Sequence, residues 1–263
     1  MAMGNVREIE SLNQRGGRML SVVDLIEDGT LDVPTAAVLL SLTAAGASFL
    51  TAAGPGGVGK STLLAVLLSF LPPDERIVTV TDPAHAGDSG EATCWLCHEI
   101  GAGHWYGYLW GRRAADFFAL NNSGRIAATL HADTAEEAVD QLLGLGVGAS
   151  ETDIAAIDVL LTMVRTGGKR RVSTVYISSG AEIPRFEPMV TWDPHGDRFE
   201  VLSAKQVARV QQCAERSSIT IERATEFIKN LISDHTRYLE DVVQAVADLY
   251  CASRGSAPAD LRK

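Results

Sequence analysis

The sequence lacks long apolar runs and has few basic residues and cysteines, and each shortage narrows what the chain can be. No apolar run approaches the eighteen or more residues of a membrane span, and residues 1–18 lack the apolar core of a signal peptide. We therefore expect a cytoplasmic protein without membrane insertion. The net charge of -10 argues against general nucleic-acid binding, since the one compact basic cluster, Lys169-Arg170-Arg171, is typical of a solvated turn.

Two of the four cysteines lie in Cys94-Trp95-Leu96-Cys97-His98, which matches the C-x-x-C-H pattern of covalent haem attachment. Haem attachment requires an exported chain, and no export signal is visible. A zinc site needs two further ligands, for which only His85 and His104 lie near in sequence. We expect instead reduced cysteines on a helix.

The most informative feature present is the segment 54–61 (GPGGVGKS), which satisfies G-x-x-x-x-G-K-[ST]. An apolar strand candidate, residues 47–53, precedes it, and an apolar helical stretch, residues 63–71, follows. This strand, glycine loop and helix predict that backbone N–H groups surround a phosphate, that the lysine reaches the outer phosphates and that the serine binds Mg²⁺. A flexible glycine loop is the alternative. The predicted nucleotide-binding residues are Gly54, Pro55, Gly56, Gly57, Val58, Gly59, Lys60, Ser61 and Thr62.

The rest of the sequence reads as alternating helices and strands around this loop. A buried strand over 76–82 ends in Asp82, which we expect near the phosphates if that strand neighbours the strand before the loop. The four residues Thr134-Ala135-Glu136-Glu137 have capping-box spacing and predict a helix through 143. The other predicted elements are two short helices within 21–45, strands at 104–110 and 126–130, two strands at 157–164 and 171–177 separated by the Gly167-Gly168 turn, a hairpin turn at 193–197, and one long amphipathic helix from 221.

From Val22 to Val243 these pieces resemble, in order and spacing, the motor ATPases of type II and type IV secretion, type IV pili and the archaellum. The resemblance rests on Asp24-Leu25-Ile26 with Gly29-Thr30-Leu31, the glycine loop, Asp82, the box Thr129-Leu130-His131-Ala132-Asp133 with Glu137-Ala138, and Arg170-Arg171-Val172. The segments Trp192-Asp193-Pro194 and Asp197-Arg198-Phe199 are most similar to the archaeal branch.

The resemblance implies a RecA-like α/β fold with a mainly parallel sheet and a C-terminal helical segment. It implies an N-terminal extension at 1–20, the nucleotide-binding domain at 21–203, a helical subdomain at 204–253 and a disordered tail at 254–263. The family's separate N-terminal domain is not in this sequence, so we expect the nucleotide-binding half alone.

The resemblance also implies roles for single residues. Lys60 and Ser61 would hold the phosphates and Mg²⁺, together with Asp82, which would match the acid of the family's Asp box although Thr81 stands where a further glutamate is usual. His131 would contact the outer phosphate. The alternative for His131 is a purely structural role, as a core histidine at the end of a strand.

The third motif departs from the family pattern. The pattern Gly-Glu-x-x-Gly falls on residues 107–111, which puts Tyr108 at the position of the catalytic glutamate, and no arginine lies between Ile77 and Gly111. A tyrosine with a pKa near 10 is a poor base at neutral pH. We expect Glu99, Asp88 or Asp133 to substitute only through a rearranged loop, so binding should be intact and turnover weak.

The sequence thus predicts an ATP- and Mg²⁺-binding domain of a secretion or pilus motor ATPase. The alternative is a companion subunit that binds nucleotide without hydrolysing it, and a small-molecule kinase is a weaker third option. The resemblance implies a hexameric ring that is peripheral at the inner face of the membrane, with a membrane platform protein or a full-length ATPase paralogue as partner, and no nucleic acid.

Overall fold

The computed structural model describes residues 2–13, 16–86, 90–180, 184–201, 208, 210–213, 217 and 219–255. Asp88 and most of the predicted tail lie outside these residues. The described chain forms a mixed α/β fold with one central sheet and helices on both of its faces. The strands are β1 (Phe49–Ala52), β2 (Arg76–Thr79), β3 (Thr93–Ile100), β4 (Tyr108–Leu109), β5 (Arg125–Leu130), β6 (Val159–Thr166), β7 (Lys169–Ser178), β8 (Phe186–Asp193) and β9 (Arg198–Val201).

The sheet runs in the order β2-β3-β5-β1-β6-β7-β8-β9, and β4 pairs with the C-terminal end of β3. The strands from β2 to β6 in this order, and β4, are parallel to their neighbours, whereas β7, β8 and β9 continue the sheet antiparallel. The carboxyl ends of β1, β3 and β5 therefore meet at one edge, which is where ligands bind in open parallel sheets.

Helices cover the two faces of the sheet. The described helices are α1 (Ala2–Ser11), α2 (Val22–Glu27), α3 (Val33–Ala44), α4 (Lys60–Ser69), α5 (Arg112–Ala119), α6 (Ala135–Leu143), α7 (Glu151–Ala155), α8 (Ile221–Ser233) and α9 (Leu239–Gly255). On one face, α4 lies on β1 and β5, α8 packs on α3, and α9 packs on α1 and α4. On the other face, α5 and α6 both pack on α7. No helix among the described residues is long and apolar enough to cross a membrane.

Alternation along the strands divides the core into two apolar clusters. Cys94 and Leu96 of β3 join the cluster under α3 and α4, whereas Trp95 and Cys97 join the cluster under α5 and α6. This alternation follows from the two-residue period of a strand, which sends successive side chains to opposite faces. Both faces of β3 are consequently buried.

Many predicted elements are confirmed, and three expectations are wrong. The two short helices before the glycine loop, the capped helix α6, the hairpin of β6 and β7 and the turn at 193–197 occur as predicted. The cysteine motif, expected on a helix, lies on strand β3. The strand at 104–110 shrinks to the two residues of β4, and the long C-terminal helix is two helices, interrupted near His235, whose φ is +52°.

The N-terminal helix α1 closes the edge of the sheet. The side-chain amide of Asn5 donates to the Glu75 carbonyl (2.8 Å) and accepts from the Ile77 amide (2.9 Å), so it pairs with two backbone groups at the edge strand β2. The Thr79 hydroxyl donates to the Glu8 carboxylate at the end of the same strand. Leu12 and Arg18, which come after α1 in the chain, line the cavity at the edge of the sheet where β1 and β3 end.

Candidate functional site

The glycine loop joins β1 to α4, as the sequence predicts. Gly57 and Gly59 have φ values of +78° and +118°, a backbone region that side chains with a Cβ rarely adopt. The chain turns at these two glycines, and α4 begins at Lys60, which is 7% exposed. The loop faces a cavity of about 500 Å³ whose lining includes Gly56, Gly57, Gly59, Lys60, Ser61 and Thr62. Of the other predicted nucleotide-binding residues, Val58 is buried in the core.

The first glycine of the loop is held from the end of β5. The Gly54 carbonyl lies 2.7 Å from His131 Nδ1, and the Gly54 amide donates to Asp133 Oδ1 (2.7 Å). A Cβ at position 54 would lie 2.6 Å from the carboxyl carbon of Asp133, so a side chain there would have to displace this exposed carboxylate. The segment 131–133 thus binds both polar backbone groups of Gly54 and fixes where the loop begins.

A carboxylate, Glu99, lies in the same cavity. Glu99 is the penultimate residue of β3, and its Oε1 is 2.7 Å from His131 Nε2 and 3.5 Å from Lys60 Nζ. Its other oxygen, Oε2, accepts from the Thr129 hydroxyl (2.8 Å). Glu99 is only 6% exposed, so its charge is held among these three partners.

Glu99 Oε1 is nevertheless an acceptor with unused capacity. Lys60 and His131 both lie within ion-pair distance of Oε1, and a carboxylate oxygen can accept a further hydrogen bond beside them. Burial lowers the pKa of Lys60, and the nearby Glu99 charge opposes that shift. A buried oxygen of this kind at a cavity wall is placed to accept a hydrogen bond from a molecule inside the cavity.

The expectation that a carboxylate would need a rearranged loop to reach the site is wrong for Glu99, because this residue lies on strand β3 and lines the cavity. Tyr108 does line the cavity, but it lies beside Glu99 as its register partner across β3 and β4 rather than in its place. The sequence signal that could have identified Glu99 is the apolar run 93–97 followed by an acid.

Asp82 was expected near the phosphates only if its strand neighbours β1, and the structure does not meet that condition. Strand β2 is separated from β1 by β3 and β5, so it does not neighbour the strand before the glycine loop. The Asp82 carboxylate accepts from the Ala84 amide (3.2 Å) and pairs with His85 (3.0 Å), and these bonds lower its pKa, the backbone bond most strongly. Among the described contacts of Asp82 none is with Lys60 or Ser61.

Two arginines for which no role at the site was predicted, Arg18 and Arg170, also line the cavity. The guanidinium of Arg18 binds the Asp24 carboxylate through two nitrogens (2.7 and 2.8 Å) and lies over the ring of Tyr238. Arg170 is exposed and reaches the Gly57 carbonyl at 3.4 and 3.5 Å. The contact of these two arginines with the cavity could not be predicted from the sequence, because both residues come from segments distant from the glycine loop.

The cysteine motif cannot gather its residues around one ion. Cys94 and Cys97 lie three residues apart on a strand, which sends their side chains to opposite faces of the sheet. Burial raises the pKa of both thiols. Within the described residues no three metal-ligating side chains cluster, and His85 is bound to Asp82 instead.

Comparison with known proteins gives partial matches. No family model matches the chain. A proposed conjugal transfer protein of Mycobacterium tuberculosis, found in strains CDC 1551 and H37Rv, is 30% identical over 202 residues, which cover 65% of this chain and 56% of that protein. An uncharacterized protein of Methanocaldococcus jannaschii is 47% identical over 68 residues, or 24% of this chain and 9% of that protein.

Among solved structures, the VirB11 ATPase from the Brucella suis type IV secretion system, in complex with sulphate, matches with a TM-score of 0.40 and 19% identity. The match covers 54% of this chain and 53% of that one. The chain spans about half the length, 56%, of the Mycobacterium relatives it matches.

Proposed function

We propose that this chain binds ATP with Mg²⁺ and hydrolyses it, as the nucleotide-binding domain of a secretion or conjugation ATPase. The observation that carries the proposal is Glu99, a buried carboxylate with an unused acceptor oxygen in the cavity formed by the glycine loop. The similarity to conjugal transfer proteins supports the choice of machine. The same proposal includes coupling to assembly or secretion and a ring of subunits. It also includes a membrane platform partner and a place at the inner face of the membrane.

Each residue of the cavity has a part in the proposed reaction. The backbone amides of the loop and the ammonium group of Lys60 bind the phosphates, and the hydroxyl of Ser61 holds Mg²⁺, which when bound neutralises phosphate charge. His131 faces the outer phosphate from the end of β5. A water molecule that donates to Glu99 Oε1 attacks the terminal phosphorus, the bond to the bridging oxygen breaks, and the water proton passes to the carboxylate.

The ion pair of Lys60 and Glu99 gives the proposed reaction an order of events. A bound triphosphate competes with Glu99 for the Lys60 ammonium, because three phosphates carry more charge than one carboxylate. Once Lys60 turns to the phosphates, Glu99 Oε1 is released toward the attacking water. ATP binding would therefore prepare the base that hydrolyses it.

The availability of Glu99 favours a hydrolysing subunit over a companion that only binds nucleotide. The test is steady-state hydrolysis together with calorimetric ATP binding. We expect the unmodified chain to turn over ATP with Mg²⁺, and Glu99→Gln to bind ATP while losing about 100-fold or more in turnover. Lys60→Ala should lose most of its ATP affinity. Glu136→Gln, an exposed acid on α6, is the matched control and should behave as wild type.

Two outcomes would contradict the proposal. Unchanged ATP affinity in Lys60→Ala would show that the glycine loop does not hold the phosphates. Unchanged turnover in Glu99→Gln, in protein with normal thermal unfolding, would show that another group activates the water.

A further inference from the structure

The carboxylate of Asp24, on α2, is bound by two arginines that come from opposite ends of the chain. Arg18 donates to it through two nitrogens (2.7 and 2.8 Å), and Arg237 Nη1 lies 3.4 Å from one of its oxygens. The Ser21 amide donates to the same buried carboxylate (2.7 Å). Burial raises the pKa of Asp24, but the hydrogen bonds from Arg18 and Ser21 outweigh burial and hold the pKa below its ordinary value. Asp24 therefore carries a negative charge at neutral pH, which the two arginines share.

Arg18 also binds the turn 234–238, which joins α8 to α9. Its Nη1 donates to the Arg237 carbonyl (2.8 Å), so one guanidinium connects α2 to this turn. The Arg237 side chain binds α2 a second time, through Glu27 (2.7 Å). The position of the turn thus depends on the two arginines and on the two acids of α2, Asp24 and Glu27.

Arg18 lines the cavity of the glycine loop as well, together with Lys60 and Glu99. Its side chain is exposed, whereas the next residue, Met19, is buried in the core and holds the backbone in place. A guanidinium donates to two phosphate oxygens at once, and three phosphates carry more charge than one carboxylate. A triphosphate in this cavity therefore competes with Asp24 for Arg18, as it does with Glu99 for Lys60.

The departure of Arg18 affects its two partners unequally. Asp24 keeps the Ser21 amide and Arg237 as partners, so its charge stays compensated. The Arg237 carbonyl loses the guanidinium that binds it to α2. We propose that a bound triphosphate draws Arg18 away from Asp24 and thereby loosens the turn 234–238, so that the C-terminal helices respond to the nucleotide. This inference rests on the proposed nucleotide site.

The test is hydrogen–deuterium exchange of the full chain, with and without a non-hydrolysable ATP analogue and Mg²⁺. The amides of Asp234, His235 and Thr236 report on the turn, because they donate to carbonyls at the end of α8. In the unmodified chain we expect saturating analogue to speed their exchange about tenfold. Arg18→Ala should exchange at that faster rate without ligand and show no further rise. Arg7→Ala, an exposed arginine of the same N-terminal segment outside the lining of the cavity, is the matched control and should behave as wild type.

Two outcomes would overturn the inference while leaving the nucleotide site intact. One is unchanged exchange at 234–236 in wild-type protein that calorimetry shows to bind the analogue, and the other is a rise of the same size in Arg18→Ala and wild type. Wild-type protein that binds no analogue would instead refute the proposed function, and this inference with it. Thermal unfolding shows whether each variant is folded. If Arg18→Ala is not, Arg18→Lys takes its place: a lysine cannot bind Asp24 through two nitrogens, so this variant should also exchange faster without ligand.

Discussion

At the scale of single residues, His98 and Glu99 are adjacent on β3 but face different surroundings. Glu99 faces Lys60 and His131, whereas the His98 ring lies against Ser11 and Thr79, with its Nε2 at 3.2 and 3.4 Å from their hydroxyl oxygens. The ring of Tyr106 packs on it edge to face. His98 therefore belongs to the packing of α1 on the sheet rather than to the cavity.

Burial lowers the pKa of His98 from its ordinary value of 6.5 to about 4. The unfolded chain therefore binds this proton more readily than the folded chain, so stability is full above pH 6.5 and falls as the pH drops toward 4. Between pH 7 and pH 5 we expect His98 to account for about 2 kcal/mol of lost unfolding free energy. Denaturant unfolding at the two pH values measures this loss.

His98→Gln should remove most of that dependence on pH, because glutamine keeps a donor and does not titrate. His195→Gln, in the exposed turn between β8 and β9, is the control and should keep the wild-type slope. Equal slopes in wild type and His98→Gln would mean that another group causes the loss.

At the scale of elements, Asn5 is one of three α1 side chains that form hydrogen bonds with the sheet, together with Glu8 and Ser11. Asn5→Ala would leave the Glu75 carbonyl and the Ile77 amide without their partner in a buried place. We expect a loss of about 2 kcal/mol, seen as a melting temperature lower by roughly 4 to 8 °C. Asn122→Ala is the control, since that side chain makes only an exposed bond to the Ala119 carbonyl. Equal melting temperatures for the two variants would show that α1 adds little stability.

The sequence predicts elements well where local signals act, and less well where burial decides. The glycine loop, the Thr134 cap and the Gly167-Gly168 turn depend on short-range geometry, and the structure contains each of them. Strand β3 is buried on both faces, so its sequence shows no alternation and its cysteines suggest a ligand motif instead. Glu99 was missed as a site residue for the same reason.

The order of strands is the other part that the sequence does not specify. Asp82 follows a correctly predicted strand, yet its distance from the glycine loop depends on which strands lie between them. The contacts of Arg18 and Arg170 with the cavity likewise depend on how distant segments pack. The break before α9 was hidden because apolar residues recur at helical spacing on both sides of His235.

At the scale of the whole molecule, three exposed aromatic side chains lie between Glu99 and α5. They are Trp105, Tyr106 and Trp110, which are 71%, 56% and 40% exposed. Exposed aromatic side chains are typical of contact surfaces, and the subunits of a closed ring complete one another's sites. We expect a second copy of this chain to cover this surface when ATP and Mg²⁺ are bound.

Light scattering with ATP and Mg²⁺ should therefore show assemblies larger than a monomer, and Trp105→Ser should shift them toward the monomer. Tyr238→Ser, an exposed aromatic outside this surface, is the control and should assemble as wild type does. A monomer at every accessible concentration would contradict the assembly itself, and equal assembly of the two variants would place the contact elsewhere.

The contact between Gly54 and Asp133 limits which substitutions these two positions can accept during evolution. Position 54 is constrained by a carboxylate 79 positions away, because the space that a Cβ would need is filled by Asp133. A side chain at position 54 therefore requires either that the exposed Asp133 carboxylate moves away or that residue 133 is smaller. Among relatives that keep this arrangement, the two positions should vary together, with glycine at 54 wherever an acid stands at 133.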